Sequence, residues 1–317
     1  NEPITITGTG YGNYELLQID FGTKETLTTT ISSTNGTFSI TFLVPTQPCG
    51  TKVITITGTA KQGGIGECEF GTTTFYLDAR ITRVDNLSRP TQNAGMTYDI
   101  VAVEGTGFGS STGIPEEIQI DFGTDYTITT TITSTHGTFS ATFEVSPQGS
   151  GVRVITATGH DSAEQATSIF TIRAGITNLY PNSATVGSVI TVEGRGYTKG
   201  SVTYIHFGTH YTITTTIADV DTGTFSVTFI VSTQSANTKI ITATDCTTTV
   251  ETEGSIITTV FLIQGKVRGL QPLSGPVGDT IVTLTGNGYG HHDTTSEEIT
   301  IDFGTHYTIT TTTSSTN

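Results

Sequence analysis

Apolar and polar residues alternate along most of this chain, at the two-residue period of a strand with one buried face. In EIQIDF, residues 117 to 122, Ile118, Ile120 and Phe122 point one way and Glu117, Gln119 and Asp121 the other. In the following YTITTTIT, Tyr126, Ile128 and Ile132 are read as the buried face and the intervening threonines as the exposed one. TFSATFEV, from 138, repeats the device with Phe139, Ala141, Phe143 and Val145. No stretch carries a helical period, so the chain is all-β.

The pattern recurs in four boxes of fixed order. GTGY at 8, GTGF at 105, GRGY at 194 and GNGY at 286 are each followed by IDFGT, or IHFGT at 205. NGTFSITF, HGTFSATF and TGTFSVTF come next, then TKVITITG, VRVITATG and TKIITATD. The order defines Ig-like modules over 1–80 (opening strand missing), 81–174, 175–265 and 266–317 (first half only). Some seven short strands per module, punctuated by Gly, Asn and Pro turns, describe an immunoglobulin-type β-sandwich. The junctions LDARIT, IRAGIT and IQGKVR hold no flexible spacer, so tandem modules are expected to form an extended rod.

Gly8, Gly10, Gly105, Gly107, Gly194, Gly196, Gly286 and Gly288, with Tyr11, Phe108, Tyr197 and Tyr289, define the first box. A GxG also opens the dinucleotide fingerprint, but no helix follows. ITNLYPNSATVGSVITVEGRGY (176–197) and VRGLQPLSGPVGDTIVTLTGNGY (267–289) resemble the opening of the IPT/TIG immunoglobulin-like domain. The later boxes resemble strands of such repeats in large bacterial and archaeal surface proteins. The resemblance covers nearly the whole chain and implies fold; for function it implies stalks, adhesive surfaces or linking modules.

Composition narrows the partners. The net charge is -15 with only 13% charged residues, which disfavours nucleic acid and anionic membranes, and no apolar run is long enough to span a bilayer. There are 73 threonines, a strand former, among 317 residues. Cys49, Cys68 and Cys246 are an odd number; Cys49 and Cys68 fall at opposite ends of an expected hairpin, so free thiols are expected.

Candidate chemistry is sparse. His291, His292 and Asp293 are read as a polar loop tip. Calcium is the one cofactor considered, with Asp219, Asp221, Glu297 and Glu298 (Glu298 and Glu297 matching Glu117 and Glu116) as weak ligand candidates. Asn35 and Asn86 open glycosylation sequons. Lys52 and Lys239, matched by Arg153, are read as strand-face cations. No nucleophile, base and orienter assemble, so an enzyme is not expected.

The reading is a structural repeat segment of a long extracellular surface protein or filament, giving reach and cell-surface attachment, partnered by neighbouring modules or other copies of itself in a fibre or surface layer, with cell-surface glycans as a further candidate partner. Two alternatives stand: a glycan-binding adhesin module, with Tyr11, Phe108, Tyr197 and Tyr289 as the nearest aromatic patch against a core-packing role, and an accessory Ig-like region of a secreted enzyme. The partial first and last modules are expected to mark a window of a longer array, with donor-strand exchange as the alternative.

Overall fold

A computed structural model describes residues 2–59, 69–89, 91–109, 114–245, 257–278, 280–289 and 298–314. They form two compact units, Asn1–Gly95 with Asp99–Val145 and Val152–Phe170, and Met96–Tyr98 with Ser146–Gly151 and Thr171–Asn317. Every described regular element is a strand.

In the first unit, β1 (Pro3–Gly8), β2 (Leu16–Phe21), β3 (Lys24–Ile31), β4 (Phe38–Leu43), β5 (Gly50–Gly58) and β6 (Phe70–Leu77) form two sheets, β1-β4 and β3-β2-β5-β6. Next come β7 (Arg80–Asn86), β8 (Thr91–Gln92), β9 (Ala94–Gly95), β10 (Ile100–Thr106), β11 (Glu117–Phe122), β12 (Asp125–Ile132), β13 (Thr138–Glu144), β14 (Gly151–Gly159) and β15 (Gln165–Ile172). Their sheets are ordered β13-β10-β7-β8 and β12-β11-β14-β15-β9.

The second unit holds β16 (Gly175–Tyr180), β17 (Ser183–Thr185), β18 (Val189–Arg195), β19 (Val202–Phe207), β20 (His210–Ile217), β21 (Phe225–Ile230), β22 (Asn237–Asp245) and β23 (Ile257–Gln264). They are ordered β16-β18-β21 and β17-β23-β22-β19-β20. The pairs β24 (Lys266–Gln271) with β25 (Thr283–Asn287), and β26 (Glu298–Phe303) with β27 (His306–Thr313), follow.

This is immunoglobulin-like topology. The first, second and fifth long strands share one sheet, and the third, fourth, sixth and seventh share the other. The opening strand also crosses over: β17 pairs in parallel with β23, Ala184 opposite Ile263. Cores form where the alternation predicts them. Leu17, Ile19 and Phe21 are fully buried, as are Ile118, Ile120 and Phe122, and Phe139, Ala141, Phe143 and Val145 close the second core from the opposite sheet.

The threonine strand reverses its expected faces. Tyr126 is 84% exposed and Ile132 69%, and at the matched places Tyr211 is 90% and Ile217 65% exposed. Thr129 and Thr131 instead lie opposite the buried Ile120 and Ile118. The reason is register. A two-residue turn, Gly123–Thr124, sets Asp125 against the inward Phe122, and beyond the irregular residues that follow, Thr129 and Thr131 face the core while Thr130 and Ile132 face out. Between the Phe122–Asp125 and Ile120–Thr129 pairs, three residues of β12 oppose Asp121 alone, a bulge larger than the usual two against one. Ile128 stays half-buried, and its counterparts Leu27 and Ile213 pack against their own cores.

Thr127 in the bulge takes φ 52°, and Thr26, Thr212 and Thr308 repeat this left-handed conformation at 48°, 75° and 55°. A β-branched residue resists it. The Asp121 carboxylate compensates by accepting from the Thr127 amide at 2.7 Å, as Asp20 does from Thr26 and Asp302 from Thr308. Where the third repeat has His206, the imidazole Nδ1 accepts from the Thr212 amide at 2.8 Å.

The reversed faces give the first prediction. Ile120→Ala should destabilise its module by about 2–5 kcal/mol, whereas Ile132→Ala should cost less than about 1 kcal/mol. Hydrogen exchange of module-two amides measures both; equal losses would restore the alternation reading.

Candidate functional site

The GxG(Y/F) box is a close-packing device. Its first glycine admits a phenylalanine: a Cβ at Gly8, Gly105 or Gly194 would lie 2.3, 2.2 or 2.5 Å from Phe38, Phe139 or Phe225. Its second glycine has positive φ and presses on a carbonyl of the preceding junction; a Cβ at Gly107, Gly196 or Gly288 would lie 2.6 to 2.7 Å from the oxygens of Asp78, Arg173 or Gln264. Phe108 and Tyr197 are fully buried and meet Phe139 and Phe225 edge-on, at 5.1 and 4.9 Å between ring centres. Tyr11 and Tyr289 are half-buried, and Tyr11 packs against Phe38. The box therefore supplies core and not a surface aromatic patch.

The amide one residue beyond that aromatic meets a carboxylate in each of three repeats. Gly12 donates to Glu15 at 2.7 Å, Gly109 to Glu116, and Thr198 to Asp245 at 2.8 Å. Glu116 is buried and also accepts from the amides of Asp161 and Ser162 and from the Ser162 hydroxyl, at 3.0, 2.7 and 2.7 Å. Four donors offset the desolvation of this charge.

The source of the carboxylate changes in the third repeat. Glu15 and Glu116 stand at the start of the third strand, facing Gly58 and Gly159, where a Cβ would lie 2.1 or 2.5 Å from the glutamate. In the third repeat Ser201 replaces the glutamate and Asp245 replaces the glycine, so the charge arrives from the opposite strand. The neighbouring core is more polar too: Tyr197 stands for Phe108 and Thr203 for Ile118, and neither buried hydroxyl has a hydrogen-bond partner among the described residues. Burial, then the charge of Asp245, pushes the Tyr197 phenol well above 10.0.

A second buried polar contact holds the IDFGT turn. Gln47 donates to the carbonyl of Phe21 at 2.8 Å and accepts from the Thr23 amide at 3.1 Å; Gln234 does the same for Phe207 and Thr209 at 3.2 and 3.1 Å. Gln148 is the matched residue and is buried. Sequence reasoning missed this glutamine, although its spacing after VP, VS and VS in VPTQ, VSPQ and VSTQ was a visible signal. Lys52 and Lys239 are buried rather than lying on an exposed strand face, Lys52 beside Gln47, and burial lowers both ammonium pKa values. Lys239 donates to Ser235 at 3.1 Å.

The remaining candidates separate. Asp219 folds back on its own turn, accepting from the Asp221 and Thr222 amides and the Thr222 hydroxyl at 2.8 to 2.9 Å; these bonds, the hydroxyl first, lower its pKa. Asp221 and Glu298 are exposed. Among the described residues no three His, Cys, Asp or Glu side chains gather as for a metal. Glu297, His291, His292, Asp293, Cys68 and Cys246 lie outside the described residues.

Asn35 is exposed at a turn tip. Asn86 is only 4% exposed, and its amide nitrogen donates to Ala94 and Asp99 at 3.1 and 2.8 Å, which corrects its reading as an accessible glycan acceptor. Cys49 is a buried free thiol, donating to the carbonyl of Gly109 at 3.3 Å; burial raises its pKa. Tyr76 joins Glu164 at 2.7 Å across the same junction of repeats one and two.

No family model matches the chain. No curated protein matches it either. Solved structures similar in part include the following three. The BSP domain of a biofilm-associated protein is 11% identical, with 82% of this chain and 63% of that one covered and a TM-score of 0.23. The D0-D1 domain of intimin is 14% identical over 58% and 97%, TM-score 0.22, and invasin, a bacterial integrin-binding protein, 12% over 94% and 70%, TM-score 0.22. The immunoglobulin-like assignment rests on strand order and not on these likenesses.

Two outcomes follow from the buried polar groups. Glu116→Ala should strand buried amides and lower module stability by about 3 kcal/mol, read by chemical denaturation. Tyr197 has a folded pKa above its unfolded value, so its contribution is complete below about pH 10 and is lost as pH rises beyond that. Tyr197→Phe, the residue type of repeat two, should leave stability at pH 7 equal or higher and reduce the alkaline loss; an unchanged alkaline profile would refute the assignment.

Proposed function

We propose that this chain is a tandem IPT/TIG-type structural segment of an extracellular surface protein or filament, whose work is to space and hold. One observation carries this reading: each recurrent box resolves into a contact that builds the sandwich. The glycines admit a phenylalanine and a junction carbonyl, the aspartate closes the bulge, the glutamine holds the turn and the glutamate caps an amide. Repetition of that kind conserves a shape, and catalysis would call for a constellation unique in the chain. The acidic charge also suits a surface exposed to solvent and not to polyanions. Neighbouring repeats and further copies of the chain are the proposed partners, with Asn35 as the sugar acceptor if the protein is glycosylated.

Solution scattering tests the spacing role. At about 30–40 Å per module the chain should extend beyond about 100 Å; a compact particle would refute it. Antibody labelling of intact cells should find the segment outside, and labelling only after lysis would reject the location.

A further inference from the structure

The threonine strands of repeats two and three are open edges. β12 and β20 are outermost in their sheets, hydrogen-bonded to β11 and β19 on one side, with no described strand on the other. Such an edge presents unpaired amides and carbonyls to another chain. Proteins usually blunt it with charge or proline; here β12 has a charge only at its first residue, Asp125, and 126–135 and 211–218 contain neither. The bulges around Thr127 and Thr212 take up the first half of each strand, leaving 129–132 and 214–217 regular.

We infer that these two edges pair, antiparallel, with the equivalent edge of a second copy of this chain. The strand is complementary to itself. An exposed tyrosine stands at one end of it and an exposed isoleucine at the other, with the exposed Thr130 or Thr215 between them. Antiparallel pairing therefore brings the tyrosine end of each strand toward the isoleucine end of the other, and aromatic–β-branched and Thr–Thr pairs are favourable cross-strand neighbours. Charge selects the place of contact: in a chain of net charge -15, copies approach most readily along uncharged segments. The other two repeats lack the full pattern. β3 begins with Lys24 and Glu25, and β27 ends in Thr313 instead of isoleucine.

This inference adds a lateral contact to the spacing role and rests on it only for biological meaning. The test is sedimentation velocity of the whole chain under reducing conditions. The unaltered protein should show reversible, concentration-dependent self-association. Combined Thr130→Lys and Thr215→Lys, at exposed outward positions, should weaken it by at least about tenfold. Thr29→Lys, at the matched place in β3, should leave it unchanged. Equal melting temperatures would establish that all variants fold. A monomer at every concentration up to about 1 mM, or self-association indifferent to the paired lysines, overturns the proposal. Extended scattering from such a monomer would leave the spacing role standing.

Discussion

The two-residue turn of the IDFGT hairpin governs each sandwich. It sets the inward phenylalanine of the third strand against the first residue of the fourth, and that single pairing decides which face of the threonine strand is wet. The turn has its own supports. A buried glutamine reaches it from the link between the fifth and sixth long strands, and an aspartate or histidine on the outer face holds the bulge that follows. Local register, a long-range side-chain contact and a strained backbone thus meet within eight residues, which accounts for the near-verbatim repetition of this stretch.

Much of the fold was legible. Period-two alternation located β11 and β13 and assigned their inward residues correctly, because both strands face a core on one side only and apolar residues mark that side. It failed for β12. At the edge of a sheet the core makes a smaller demand, so threonines can face inward while Tyr126 and Ile132 face out. Hydrophobic pattern records where burial is compulsory; register in an edge strand is dictated by the turn.

The polar sites were less legible because their chemistry depends on pairs distant in sequence. Glu116 reads as one more surface carboxylate until Ser162 and Asp161 are found against it. Asn86 matches a sequon, yet three residues of context say nothing of Asp99, which holds it inside. Lys52 and Lys239 look like strand-face cations because their strands alternate, but both are buried, Lys52 near the glutamine that supports the turn and Lys239 against Ser235.

The relocated carboxylate of the third repeat has a historical consequence. Passing from the Glu–Gly arrangement to Ser–Asp takes two substitutions, and each order meets a poor intermediate. Acquiring the aspartate first forces a side chain into space the glutamate fills, 2.1 to 2.5 Å away in the repeats that retain it. Losing the glutamate first leaves a buried amide without its acceptor. Tandem duplication offers a way across this valley, since a spare module can be impaired while its neighbours keep the array folded. The same barrier then limits later exchange, because a crossover between modules two and three that falls between the third and sixth long strands would join mismatched halves.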